Sequence, residues 1–137
     1  MTTKEFVDSY IGKKVDFDKQ YGAQCVDLFR QYCKDVWGVP HLGGVEGAKD
    51  IYINYDKMPS EVKYTNRIKY TGGNYPQEGD VVIFDKSATN QYGHIAVCLY
   101  ATAGRMVVLE QDGFNQTGAK IGIWLYERLL GWLVKKA

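Results

Sequence analysis

Apolar residues recur along this chain at two different periods, and the change between them falls near residue 79. Before that point they are spaced by threes and fours. Thr2-Thr3-Lys4-Glu5 has the form of a capping box, Phe6, Val7, Tyr10 and Ile11 share one helical face, and Gly12 ends it. From Gln24 onward Cys25, Val26, Phe29, Tyr32, Cys33, Val36 and Trp37 repeat the pattern until Gly38 and Pro40 stop it, which predicts a second helix of roughly a dozen residues. A short third helix is expected over 48–55, and Pro59 keeps it from running far. Residues 58–78 are rich in Tyr, Asn, Gly and Pro and read as an irregular stretch with one short strand at 67–70. Beyond Gly79-Asp80 the apolar positions come in short runs separated by turn residues: Val81–Phe84, 94–100, Met106–Glu110, 121–126 and 132–134. Two or three helices followed by five to six evenly spaced strands predict an α+β domain, its N-terminal helices packed on a curled antiparallel sheet.

Composition narrows the classes. A chain of 137 residues with 45% hydrophobic and 14% aromatic content suits one domain over 1–137 with a real core. The net charge of +1 is spread along the sequence, and the lysine pairs at 13–14 and 135–136 form no basic stripe, which argues against nucleic acid as a partner. Three cysteines without a short-range pairing pattern do not make a disulfide framework and fit synthesis in a reducing compartment. No apolar run has membrane-spanning length and the N-terminus has no signal-peptide core, so export needs another route and membrane insertion is not expected.

One stretch concentrates chemistry. Counting Asp16 as position 1, oxygen donors fall at Asp16, Asp18, Gln20, Gly22 through its carbonyl, and Asp27, the first, third, fifth, seventh and twelfth positions of a calcium loop. Tyr21 stands where the helix-loop-helix calcium motif requires Gly, and Asp27 is shorter than its usual bidentate Glu, so this is either an unusual cation loop or a polar turn that caps a helix. Within the same stretch Cys25 enters the first turn of the second helix. There the helix dipole and unpaired N–H groups favour a thiolate and can hold a developing oxyanion; a small buried hydrophobe is the alternative reading.

Two residues stand out among the strands. His94 leads the apolar run Ile95-Ala96-Val97-Cys98-Leu99, as either a satisfied core histidine or a catalytic one. Glu110 ends the run Val107-Val108-Leu109. The ends of neighbouring antiparallel strands come close enough for these two side chains to touch, and a helix start packed across the sheet brings in Cys25. His41, beside Gly43 and Gly44, reads as an exposed loop histidine.

Five segments, Gly22-Ala23-Gln24-Cys25-Val26-Asp27, Gly79-Asp80-Val81-Val82-Ile83-Phe84, Tyr92-Gly93-His94-Ile95-Ala96-Val97, Leu109-Glu110-Gln111-Asp112 and Leu130-Gly131-Trp132-Leu133, together resemble the ordered signatures of the CHAP domain, the cysteine- and histidine-dependent amidohydrolase/peptidase family. The resemblance covers nearly the whole chain. It implies a papain-like α+β fold and cleavage of a peptidoglycan amide bond, as amidase or endopeptidase, of the kind found in phage endolysins. It makes Cys25 the nucleophile, His94 the base, and Glu110 the group that orients the imidazole. It also implies a structural Ca2+ on Asp16, Asp18, Gln20, Gly22 and Asp27, with no organic cofactor. The sequence departs from the family at Asp112, where many relatives have Asn; either Asp112 serves through one carboxylate oxygen, or Asn115 substitutes, or the fourth group is dispensable. The expectation is a monomeric hydrolase made in the host cytoplasm and acting on the cell wall. Two other classes stay open: a calcium-dependent wall-binding module without catalysis, against which the intact Cys25, His94 and Glu110 count, and a papain-like thiol enzyme acting on proteins.

Overall fold

The structure is a computed structural model, which describes every residue except Gln20, Tyr21, Ala23, His41, Gly43, Gly44, Glu46, Gly113 and Gln116. The chain opens with α1 (Thr3–Tyr10), capped by Thr2, whose hydroxyl accepts from Glu5 N–H while the Glu5 carboxylate accepts from Thr2 N–H. The second helical run is α2 (Cys25–Tyr32), which passes without a break into a π-helical turn (Cys33–Trp37). Phe6, Phe29, Tyr32 and Trp37 meet edge to face between these segments and fix how α1 crosses α2.

The next stretch departs from the sequence reading. The third helix is only α3 (Lys49–Ile53), followed by a 3-10 turn (Tyr55–Lys57), and Pro59 begins a further helix, α4 (Pro59–Tyr64). Proline fits the first helical turn because its missing N–H would have no helical partner there, so a residue read as a stop acts as a start. α4 runs directly into β1 (Thr65–Lys69), and β2 (Val81–Phe84), β3 (His94–Ala101), β4 (Met106–Glu110), β5 (Lys120–Trp124) and β6 (Leu129–Lys135) complete one antiparallel sheet. Its spatial order is β1-β6-β2-β3-β4-β5.

Strand alternation divides the core in two. Val81, Ile83, Ile95, Val97, Leu109 and Leu133 face the helices, packing on Phe6, Leu28, Phe29 and Ile51. Val82, Phe84, Ala96, Cys98, Val108 and Trp132 face the other way into a second cluster, edged by Tyr70, Trp124 and Tyr126. Tyr70 follows one edge strand and Tyr126 follows the other, yet their rings stack with centroids 5.3 Å apart. Tyr126 belongs to the connection from β5 to β6, the strand that pairs with β1, so this connection packs over the second cluster and covers it without a second helical layer. Among the described residues no helix is long and apolar enough to cross a membrane.

Candidate active site

Cys25 is the first residue of α2, with a half-buried thiol. Gln24 precedes it in extended conformation, and its N–H donates to Asp27 Oδ2 at 3.0 Å, so the carboxylate caps the helix that carries it. The first N–H groups of α2 have no partner within the helix, and they lie beside the thiol.

The sheet supplies the opposing groups. Gly93, at φ +72°, turns the chain into β3; a β-carbon there would lie 2.4 Å from the Phe84 carbonyl oxygen, so no other residue fits this turn. Asn90 ties the same turn by donating to Gly93 O at 2.8 Å. His94 then begins β3 and Glu110 ends the neighbouring β4, and their side chains meet as expected, Nε2 to Oε1 at 2.9 Å. Both are buried. With Nε2 on Glu110, Nδ1 is the ring nitrogen left for the thiol. Burial pushes the imidazole towards its neutral form, but hydrogen bonds and charge from Cys25 and Glu110 outweigh it and raise the His94 pKa from 6.5 to about 9. Burial likewise works against the charge on Glu110, and His94 and Trp124 together hold its carboxyl below the ordinary range.

Two partners of these groups were not anticipated from the sequence. Trp124 donates its indole N–H to Glu110 Oε1 at 3.0 Å and stacks on the imidazole, with centroids 5.0 Å apart and planes 19° from parallel. Strand alternation carries the only signal for this, since it sets Trp124 on the face opposite Ile121 and Ile123. Gln111 is fully buried: its amide accepts from Val15 N–H at 2.8 Å and donates to Val15 O at 2.6 Å and Gln24 O at 2.8 Å. One side chain thus joins the end of β4, the start of the acidic loop and the residue before Cys25. Asp112 lines the same cleft, but its Oδ1 accepts from Phe114 N–H and its Oδ2 from the Asn115 amide at 2.6 Å. These bonds outweigh burial and hold its carboxyl below the ordinary range.

Asp16, Asp18 and Asp27 bring one carboxylate oxygen each to within 4.8 Å of one another. Burial, then the charges of Asp18 and Asp16, raise the Asp27 pKa from 3.8 to about 6, against the pull of the Gln24 N–H. Arg30 Nη1 reaches Asp18 Oδ2 at 3.1 Å. Asp16 Oδ1 is buried and accepts no hydrogen bond among the described residues, an unusual state for a carboxylate oxygen. Gly22 lies between Asp18 and α2, at φ +76°, while Gln20 is outside the described residues. Three converging carboxylates, one with an unmet oxygen, are a donor set that suits a hard divalent cation.

The family model for the CHAP domain matches residues 14–112. The chain belongs to the CHAP domain family. It is 35% identical over 121 residues to endolysin PlyTW of Staphylococcus phage Twort, a match covering 82% of this chain and 24% of that protein. The chain thus spans about a quarter of that curated relative. Two solved structures superpose on 98% of the chain and share its fold: the endolysin LysIME-EF1, with a TM-score of 0.69, 22% identity and 64% of its own length covered, and Ly7917, with a TM-score of 0.65, 17% identity and 62% covered.

In this CHAP domain Cys25 and His94 lie at the floor of a cleft of about 500 Å³, walled by Tyr92 and Phe114 and flanked by Arg30 and Asp112. Phe114 is two-thirds exposed, so it offers an open apolar surface rather than core packing. A thiol, a base fixed by a carboxylate and a helix N-terminus facing one open cleft are the parts an acyl transfer requires. Asp18 and Asp27 of the acidic cluster line the same cleft.

Proposed function

We propose that this chain is a cysteine-dependent peptidoglycan hydrolase, the catalytic domain of a phage endolysin, cleaving an amide bond of the bacterial cell wall. The single observation that carries the reading is that Cys25 and His94 line one cleft while Glu110 bonds the far nitrogen of the same imidazole. Membership of the CHAP family and the similarity to an endolysin support the substrate class. His94 takes the thiol proton, and the Cys25 sulfur adds to the carbonyl carbon of the scissile amide. The oxygen that gains charge faces the first N–H groups of α2. The imidazolium returns its proton to the departing amine, leaving a thioester on Cys25. A water molecule, deprotonated by His94, adds to that thioester and releases the acid, restoring the thiol. Glu110 supports the imidazolium through both proton transfers. Asp112 is the fourth polar group of the site and acts through its loop, setting where Phe114 stands at the cleft.

A calcium ion belongs to the same reading. Asp16, Asp18 and Asp27 would hold it, with Gly22 and Gln20 completing the donors named by spacing. Such an ion would supply no step of the reaction; it would offset two of the three carboxylate charges, Arg30 facing the third at Asp18, and would tie the loop to the turn that presents Cys25.

The decisive experiment is loss of turbidity of a Gram-positive wall suspension, with mass spectrometry of the digest. Released stem peptides and intact cross-bridges identify an amidase, and cut cross-bridges an endopeptidase. Walls left intact by the unmodified protein would reject the proposal.

A further inference from the structure

The Glu110 carboxylate does not rest on its own strand alone. β5 lies beside β4 with Gly122 opposite Val108 and Lys120 opposite Glu110, and the carboxylate leans across onto β5. A β-carbon built at Gly122 would stand 1.6 Å from Glu110 Oε2 and 2.6 Å from its carboxyl carbon, far inside any permitted contact. The backbone does not explain a glycine here. Gly122 is not among the residues with positive φ, it lies within a regular strand, and glycine weakens strand interiors by about 0.5–1 kcal/mol relative to alanine. What the position provides is space. The carboxylate fills it, and from there Oε1 meets both His94 Nε2 and the Trp124 indole N–H, which projects from the same face of β5 two residues on. An added β-carbon would meet only the end of the Glu110 side chain, so it is this carboxylate, bonded to both partners, that would have to shift.

We infer that Gly122 is a positioning residue for the reaction: by having no side chain it seats the Glu110 carboxylate against His94, so that the edge strand β5, which carries none of the reacting groups, aims the base. This rests on the roles assigned above to Cys25, His94 and Glu110. It lies beyond the segment that the family model matches, which ends at residue 112.

The test reads His94 directly in the free protein. With only two histidines in the chain, the imidazole C–H resonances can be followed by NMR through a pH titration, the second being assigned by a His41→Ala control. Gly122→Ala should move the His94 titration down by about one unit or more, the effect of separating a charge from its partner. In a Glu110→Ala background, where the obstructed group is gone, Gly122→Ala should produce no further shift and leave the melting temperature no lower than that of Glu110→Ala, since alanine suits a strand interior better than glycine. Ile123→Ala, on the opposite face of the same strand, should leave the titration unchanged. An unmoved titration in folded Gly122→Ala would overturn the inference. So would equal shifts, or equal losses of stability, in both backgrounds, because Gly122 would then act on the sheet at large. If Gly122→Ala alone fails to fold, the double variant still decides: it folds like Glu110→Ala if the inference holds. None of these readings involves a cell wall, so failure of the unmodified protein to lyse walls would reject the hydrolase proposal and not this one.

Discussion

The two sides of the cleft are built on different principles. On the sheet side His94, Glu110 and Trp124 project from paired strands, bond to one another, and use only groups that the fold itself supplies. On the loop side Cys25 is presented by a helix start whose neighbours are three carboxylates crowded within 4.8 Å, one of them pushed to a pKa of about 6 by burial and the other two. The first arrangement is electrostatically closed, a cation against an anion. The second is open: three carboxylates gather against the single guanidinium of Arg30 on Asp18, and one buried oxygen is unmet among the described residues. The contrast teaches that His94, the proposed base, is organised in advance by backbone pairing, whereas Cys25, the proposed nucleophile, sits on a turn whose neighbouring charges are left for the surroundings to balance.

The most severe way to break this arrangement is to remove a reacting group. Cys25→Ala and His94→Ala should each lower wall lysis by several orders of magnitude, and the double variant should be little worse than either, because the pair acts as a unit. Cys33→Ser and Cys98→Ser should instead leave lysis largely intact and lower the melting temperature. Both thiols are fully buried, and burial pushes that of Cys98 up to about 12.

The sheet side also sets a pH limit. The His94 pKa is raised in the folded chain, so the stability that its imidazolium contributes is complete below its unfolded value of about 6.5 and is lost as pH rises through about 9. Lysis should fall on the alkaline side over the same range, and Glu110→Gln should reduce turnover strongly and move that limb to lower pH. A pH–rate profile of the two proteins checks both statements.

The loop side should yield to chelation instead. A metal that binds only the folded chain stabilises it by about 3 kcal/mol at a hundredfold excess over its dissociation constant. EDTA should therefore lower the melting temperature, and Asp16→Ala should lower it too and abolish the EDTA effect. Magnesium should rescue poorly, since it requires a small octahedral shell. Titration calorimetry of the metal-free protein with calcium tests this, and an absence of binding heat would leave the three acids as a strained polar turn.

The smallest effect belongs to Asp112. Both of its oxygens are taken by its own loop, so Asp112→Asn should keep lysis within about tenfold of the parent, while an equally severe loss to that of Glu110→Gln would assign it the orienting role.

What the sequence made legible follows from local rules. Period alone separated the helical from the stranded half, and the strand ends placed His94 and Glu110 together because antiparallel neighbours must meet there. Pro59 was misread because proline is a stop or a start depending on which side of it the helix lies, and periodicity over six residues is too short to decide. Trp124 and Gln111 stayed hidden for a different reason. Trp124 owes its role to the register of β5 on β4, of which alternation shows only the face, and Gln111 to contacts across 87 to 96 residues of chain, which no local pattern encodes. Gly122 was invisible in the same way, since its meaning depends on which side chain lies over it.

Gln111 has one more implication, for the order in which the molecule is made. Its bonds to Val15 close a loop of 96 residues, a step costing roughly 4 kcal/mol of chain entropy by the logarithmic rule. While residues 1–110 are emerging, the thiol already exists but the side chain that holds its approach does not, and β5, on which the carboxylate leans, arrives later still. The site is thus completed from its far end. A growing chain carries Cys25 without an aimed His94, and on the proposed mechanism activity requires that the last third of the polypeptide be laid against the first.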